Sequence, residues 1–290
     1  MVNLRAYALI VTLSVIWGLA FVAIRVADFE LSAVNLTLTR WLIVSGSFVL
    51  LYPFIGKPKI PFERKDTLRL VVVAFATVVA YHLALNYSEK IVDASLAGLL
   101  ISLAPLFVVV LSTVVLKEKI GWTLRTALAL ALTGAVIISL PGLSLSSEQL
   151  AGPLLVVAAS MSSAVNIVLS RPLVLKYGPF PVAVWGAVLG TAILLPLVSW
   201  SLVEQASSLS ARGWVSVLYL SLLSTVVANL IFYTLVGRGA VSRLGVQLYL
   251  VPLVSVIGGV LILDEALLPA TVAGGALLLL AVGLTTRVKH

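Results

Sequence analysis

Two ionisable side chains lie inside long uncharged stretches of the chain, and they are the first candidates for chemistry. Arg40 lies in the stretch 31–56, of which it is the one charged member, and His82 lies in the middle of Leu70–Ser88. A charge in hydrocarbon is costly, so such groups usually face an interior, a water path or a ligand. Arg40 could present its planar fork to a carboxylate, or extend toward an interface and pair with Glu30. His82 could titrate near neutral pH, or simply hydrogen-bond a neighbouring helix.

Further polar and aromatic side chains lie deep in the apolar stretches. Amides in an apolar bundle form interhelical hydrogen bonds, and aromatic walls with few polar groups favour an amphipathic or planar ligand. We therefore predict a ligand cavity lined by Trp17, Arg40, Tyr81, His82, Asn86, Ser102, Asn166, Asn229, Tyr233 and Tyr249. The alternative for each Asn is a structural bond between helices. Trp41, Trp122, Trp200 and Trp214 fall near the ends of apolar stretches and are interpreted as interfacial residues.

The elements that must position these residues are membrane-spanning helices. Of the 290 residues 61% are hydrophobic and 10% are charged, which is too few charges to cover a soluble fold of this length. The apolar stretches number ten, and a spanning helix needs about 20 such residues. They predict an all-α protein with ten transmembrane helices and no extramembrane domain. Ala6–Ile24 is interpreted as the first span rather than as a signal peptide.

The basic residues predict the orientation. With the N-terminus in the cytoplasm, 15 of the 19 Lys and Arg residues fall in cytoplasmic loops and tails, and three fall outside. Such a bias in short loops is the positive-inside pattern. We expect a multi-pass protein of the cytoplasmic membrane with both termini in the cytoplasm. The net charge of +8 is thus explained by topology, with the lipid bilayer as partner and no nucleic acid.

The two halves of the chain resemble each other at an offset of about 147 residues. Between Ser95–Glu118 and Ser242–Glu265, 8 of 24 positions are identical, including a Gly, a Pro and a Glu in one register. We predict two repeats, residues 1–145 and 146–290. Because five helices is an odd number, the second repeat enters the membrane inverted, as is common in secondary transporters. Two fused repeats make a monomer sufficient and permit an oligomer.

Two prolines and two glutamates recur at equivalent places in the repeats. Pro105 and Pro252 are expected to kink the fourth and ninth helices and to serve as hinges, although a static bend fits equally well. Glu118 and Glu265 follow these helices at opposite membrane faces. We interpret the two glutamates as gating or capping groups rather than as acid–base groups.

These repeats resemble the drug/metabolite transporter superfamily in its ten-helix form with two EamA-type repeats. The resemblance rests on Trp17-Gly18 with Phe21, on 103–107 (LAPLF) closing with Leu116-Lys117-Glu118, and on 250–253 (LVPL) closing with Leu263-Asp264-Glu265. It implies a carrier of small metabolites, often an exporter of amino acids, with Phe21 in the cavity. It also implies that helices 1, 3, 4, 6, 8 and 9 surround the cavity, while helices 5 and 10 lie outside it.

The positions of the acidic residues and the absence of catalytic motifs limit the functions that the sequence allows. No Asp or Glu lies deep in an apolar stretch, so we expect a facilitator, an exchanger, or coupling through His82. The same absence disfavours organic cations and favours a neutral or zwitterionic metabolite, exported or exchanged by alternating access. The alternatives are a flippase for a lipid-linked headgroup and a multidrug exporter. Without cysteine, HExxH, GxSxG or a P-loop, and with two histidines, the sequence predicts neither an enzyme nor a metal or cofactor.

Overall fold

The computed structural model describes residues 4–54, 62–116, 121–139, 147–237 and 247–286. Within these ranges the regular structure is helical, as the sequence predicts. The main helices are α1 (Leu4–Asp28), α2 (Ala33–Leu51), α3 (Arg64–Ala74, Phe75–Ala80 and Tyr81–Glu89), α4 (Ala94–Leu100, Ile101–Leu103 and Ala104–Leu116), α5 (Trp122–Ser139), α6 (Ser147–Tyr177), α7 (Pro179–Leu194), α8 (Ala211–Leu218, Tyr219–Val227 and Ala228–Gly237), α9 (Gln247–Leu263) and α10 (Pro269–Thr286). Short helical turns cover Tyr52–Phe54 and Leu195–Leu197, and a short helix covers Trp200–Ser207.

Seven helices in the described part of the chain are long and apolar enough to cross a membrane. Three more, Arg125–Ser139, Leu250–Leu263 and Pro269–Leu284, are apolar but shorter. The prediction of a multi-pass, all-helical membrane protein is confirmed. The number of ten spans stays a prediction.

The helix contacts repeat themselves between the two halves. α1 packs on α8 and α9, and α6 packs in the same way on α3 and α4. The pairs α2–α7 and α5–α10 join equivalent helices directly. At the second of these pairs the backbones approach closely, since a Cβ added to Gly134 would lie 2.7 Å from the Gly274 carbonyl oxygen.

Two helices contain π-helical segments at corresponding places. Phe75–Ala80 interrupts α3, and Tyr219–Val227 interrupts α8. Such segments add a residue to the turn and often occur at functional sites. In α3 the segment ends just before His82, and in α8 it contains Thr225.

Three connections between helices meet at one end of the bundle, which we call the outer end after its predicted orientation. Lys90 Nζ donates to the carbonyl oxygens of Asp28 and Leu31 at 2.7 and 2.9 Å. The Gln205 side-chain oxygen accepts from Ser32 N and Asn35 Nδ2, each at 2.9 Å. Polar contacts therefore join α1, α2, α3 and the segment before α8 at the outer end.

Equivalent contacts hold both ends of the bundle. At the outer end, Ser210 donates its backbone N–H and its hydroxyl to the Glu30 carboxylate, each at 2.6 Å. At the opposite end, Glu63 donates its backbone N–H to the Tyr177 hydroxyl at 2.9 Å. Both members of one contact lie 147 positions from their counterparts in the other. The hydrogen bonds from Ser210 lower the pKa of Glu30.

Candidate functional site

A cavity of about 270 Å³ lies in the middle of the bundle. Helices α1, α2, α3, α4, α6, α8 and α9 contribute to its wall, whereas α5 and α10 contribute no described residue. The wall is mostly apolar, and Arg40 and His82 are the ionisable groups of the Arg, Lys, His, Asp and Glu types among its described residues.

Arg40 brings a buried cation to this wall. Its side chain is 5% exposed, and both Nε and Nη2 donate to the Thr225 hydroxyl oxygen at 3.1 and 2.9 Å. Thr225 in turn donates its hydrogen to the Leu220 carbonyl at 2.8 Å, which leaves its lone pairs for the guanidinium. No carboxylate of the described residues lies within ion-pair distance of Arg40, and Glu30 instead binds Ser210.

His82 is held in one orientation by the π segment of α3. Its Nδ1 donates to the Thr77 carbonyl at 2.8 Å, because a carbonyl oxygen only accepts. That bond leaves Nε2 as an acceptor in the neutral ring. The rings of Trp41 and Tyr81 stand edge-on to the imidazole, with centroids 5.0 and 4.9 Å away. All three neighbours of His82 named here line the cavity.

Aromatic and amide groups complete the wall. Trp17 donates its indole N–H to the Ser224 carbonyl at 3.1 Å and packs on Phe232 with ring centroids 5.5 Å apart. Asn166 of α6 and Asn229 of α8 also face the cavity, and the Asn166 carbonyl oxygen has no hydrogen-bond partner in the described structure. A ligand with donors would satisfy that oxygen.

The structure brings most of the predicted positions together. Those that line the cavity are Trp17, Phe21, Arg40, Tyr81, His82, Ser102, Asn166, Asn229, Pro105 and Pro252. Tyr233 and Tyr249 lie on α8 and α9, but their side chains lie outside the described residues, as does Glu118. That these positions bind substrate stays a prediction.

Two sequence interpretations are wrong in their placement. Asn86 does not line the cavity, because its side chain is fully buried against α2 and donates to the Thr37 hydroxyl at 2.9 Å. Trp41 is not an interfacial residue: it is 2% exposed and forms part of the cavity wall. Trp122 and Trp200, in contrast, are largely exposed.

The two prolines act differently. Pro105 follows a 3-10 turn, Ile101–Leu103, at which α4 is interrupted. α9 continues as an α-helix through Pro252. The hinge role of either residue stays a prediction.

Glu265 caps another helix. It follows Asp264, whose φ of 56° ends α9 with a left-handed turn. Its carboxylate accepts the backbone N–H groups of Ala94 and Ser95 at 2.8 and 3.0 Å, and also the Ser95 hydroxyl. These groups begin α4, so a carboxylate here satisfies orphan donors and complements the helix dipole.

The expectation of no buried carboxylate is wrong. Glu89, the last residue of α3, is 0% exposed, and neither of its carboxylate oxygens has a hydrogen-bond partner in the described structure. Asp28 at the end of α1 is also buried. The sequence places both residues at predicted loop boundaries, where hydropathy alone gives no sign that neighbouring loops cover them. The cavity wall itself contains no carboxylate among its described residues.

The site has the composition of a binding cavity rather than a metal centre. The described residues contain no group of three His, Cys, Asp or Glu side chains that could hold a metal ion. A fixed cation, an imidazole and two amides can orient a polar head, while the aromatic rings surround an apolar body.

Comparison with known proteins agrees with this description. The EamA-like transporter family matches residues 4–140 and again 150–287. An uncharacterised transporter of Archaeoglobus fulgidus is 31% identical over 271 residues, covering 93% of this chain and 95% of that protein. A probable terminal-alkyne amino-acid exporter of Streptantibioticus cattleyicolor is 30% identical over 282 residues, covering 97% and 93%.

Two further similarities are more distant. A probable amino-acid metabolite efflux pump of Escherichia coli is 26% identical over 275 residues, covering 91% of this chain and 89% of that protein. A crystal structure that covers 97% of this chain and 96% of its own superposes with a TM-score of 0.66 at 17% identity, which establishes the fold alone. With two matches that together span nearly the whole chain, this protein is a membrane transporter of the EamA-like transporter family.

Proposed function

We propose that the protein exports or exchanges a small neutral or zwitterionic metabolite, similar to an amino acid, across the cytoplasmic membrane. The observation that carries this proposal is Arg40, a buried guanidinium at the cavity wall, which among the described residues has one hydroxyl acceptor and no carboxylate within ion-pair distance. A buried cation is costly unless it is paired, and the fork of Arg matches a carboxylate. A ligand carboxylate in the cavity would supply the missing partner.

The size of the cavity supports a small ligand. Its volume of about 270 Å³ accommodates a small ligand such as a single amino acid. The relatives named as exporters of amino acids or their metabolites point to the same chemical class. The aromatic side of the cavity would hold an apolar side chain.

The mechanism that we propose is alternating access by ten spanning helices in two inverted repeats, with both termini in the cytoplasm. Two observations support it. Equivalent helices make the same contacts in both halves, and the contacts Glu30–Ser210 and Glu63–Tyr177 lie at equivalent positions at the two ends. Contacts of equal kind at the two ends are what a two-state carrier would break in turn.

The test is binding followed by transport. The melting temperature of the detergent-purified protein is measured with leucine, phenylalanine, threonine, glutamate, succinate and tetraphenylphosphonium, each in excess. A ligand at 100 times its Kd stabilises by about 2.7 kcal/mol. We expect shifts with neutral amino acids and exchange of the same compounds in proteoliposomes.

Other outcomes would point elsewhere. A shift with tetraphenylphosphonium alone would overturn the proposal in favour of drug efflux. No shift with any compound, and no amino-acid exchange, would overturn it in favour of a flippase.

A further inference from the structure

The carboxyl group of Glu89 is fully buried and lies in a cluster of charged groups, some of which reach solvent at the outer end. The charged groups that act on it are Asp28 and Arg25 of α1, Arg40 of α2, and Glu265 after α9. Two neighbours complete the cluster. Lys90 has its Nζ 3.6 Å from the Asp28 carboxylate, and the raised pKa of Asp93 reflects burial and the carboxylate of Glu265. Among the described residues the cluster thus contains four carboxyls and three cations, and one of these cations, Arg40, has no carboxylate within ion-pair distance.

Of the four carboxyl groups, that of Glu89 has the fewest hydrogen-bond donors and cations close to its oxygens. Glu265 accepts three hydrogen bonds, and Asp93 lies partly in solvent. The Asp28 carboxylate oxygens also have no hydrogen-bond partner among the described residues, but the Lys90 ammonium lies 3.6 Å away. Both Glu89 carboxylate oxygens lack a donor in the described structure, and Arg25 donates instead to the Glu89 backbone carbonyl. An unpaired carboxylate in such a place costs several kcal/mol, so the proton belongs on Glu89 while the outer end is closed.

A column of three buried polar residues on α3 extends from the cavity wall to Glu89. On α3, His82, Asn86 and Glu89 are spaced i, i+4 and i+7, so they share one face, and all three are buried. The column is about 10 Å long at 1.5 Å per residue. The Asn86 carbonyl oxygen has no partner in the described structure, and His82 lies on the cavity wall. Glu89 therefore lies between the outer end and the cavity.

We propose that Glu89 binds a coupling proton, and that protons enter through it as substrate leaves. Hydronium from the outer solution protonates the carboxylate and becomes water, and later the O–H bond breaks and the proton passes to water in the cavity. Protonation allows the outer end to close over Glu89, and ionisation favours its opening. This inference rests on the proposed transport function.

The first experiment follows closure of the outer end without any substrate. The chain contains no cysteine, so Leu31→Cys, at a buried position of the outer end, gives a single reporter thiol in the full-length protein. Its reaction with a membrane-impermeant maleimide is timed in vesicles in which the outer end faces the reagent, and each rate is divided by that of a model thiol at the same pH. We expect this corrected rate to fall at least fivefold between external pH 8 and 5.5.

Substitution of Glu89 is expected to remove that dependence. Glu89→Gln resembles the protonated acid, so its labelling rate should be slow at both pH values. The matched control is Glu204→Gln, at an exposed acid of the same end, and its labelling rate should still fall between pH 8 and 5.5. Should Leu31→Cys prove unstable, Val92→Cys replaces it, at another buried position of this end. Equal pH dependence with and without Glu89 would overturn the proposal.

The second experiment separates coupling from transport. Proteoliposomes with a luminal pH dye are given a pH gradient and a mixture of leucine, phenylalanine and threonine. In the wild type, amino-acid efflux should bring protons in. In Glu89→Gln, proton movement should fall at least tenfold while exchange of labelled for unlabelled amino acid persists. Wild-type exchange that ignores the gradient would overturn this inference alone, whereas the absence of any amino-acid transport would overturn the proposed function itself.

Discussion

Replacement of Arg40 by Gln is predicted to weaken ligand binding without destabilising the empty protein. The guanidinium is 5% exposed and has a single hydroxyl acceptor, so without ligand it is a buried cation that is poorly compensated. Removal of such a charge is often neutral or stabilising. The carboxylate of a bound ligand, in contrast, would lose the one guanidinium or ammonium group among the described residues of the cavity wall.

The size of the effect follows from this burial. Truncation of one partner of a buried, hydrogen-bonded charge pair costs about 2–5 kcal/mol. At about 1.4 kcal/mol per factor of ten, the Kd for a carboxylate ligand should rise about 30-fold to several thousand-fold. Water cannot replace the guanidinium efficiently, because Trp41 and Tyr81 of the cavity wall are also largely enclosed.

The assay compares leucine with leucinol, which lacks the carboxylate, by calorimetric titration. The wild type should prefer leucine by the factor given above, and Arg40→Gln should bind both compounds equally weakly. Arg212→Gln, at an exposed arginine, is the control and should behave like the wild type. If Arg40→Gln keeps the preference for leucine, or if its melting temperature without ligand falls by several degrees, the reasoning about this buried cation is refuted.

Three further predictions concern stability. Glu265→Gln should destabilise the protein by about 0.5–2 kcal/mol, the usual worth of a helix cap, and thermal unfolding should record a lower melting temperature. Gly134→Ala should cost about 1–3 kcal/mol by overpacking α5 against α10, whereas Gly46→Ala, where a Cβ meets nothing within 4 Å, should be neutral or stabilising in the same measurement. Hydrogen bonds from Ser210 lower the pKa of Glu30 below its ordinary value of 4.5, so the ionised carboxylate stabilises the folded protein above pH 4.5. This stabilisation should be lost as the pH falls through the lowered pKa, and the melting temperature should fall with it. If Glu30→Gln loses as much melting temperature in acid as the wild type does, this prediction is contradicted.

Much of the cavity wall can be predicted from the sequence. Arg40 and His82 stand out because a titratable group in an apolar helix needs an interior to face. The repeat offset also pairs His82 with Asn229, and both line the cavity. These inferences succeed because they depend on local hydropathy and on symmetry, which the sequence carries directly.

The residues that were misplaced depend on long-range packing. The position of Trp41 near the end of an apolar stretch is typical of an interfacial residue. However, α2 packs closely against α3 and α8, so Trp41 lies in the cavity wall. Glu89 ends a span beside Lys90, and a solvated loop is the ordinary expectation there. The signal that could have found it is its i+7 spacing from His82, which continues the polar face of α3 to the end of the helix.

The π segments of α3 and α8 determine what a single-residue deletion there would change. Positions 63 and 210 before them, and positions 95 and 242 after them, keep the same spacing of 147, so both copies hold the extra residue. Loss of a single codon within Phe75–Ala80 would remove the extra residue and close an ordinary helical turn, while the helix on either side keeps its register. His82 would stay on the cavity wall but would lose the wide turn in which the Thr77 carbonyl, five residues before it, accepts its Nδ1–H. Single-residue deletions in these two stretches should therefore disturb the site more than the fold, although the sequences resemble any other apolar helix.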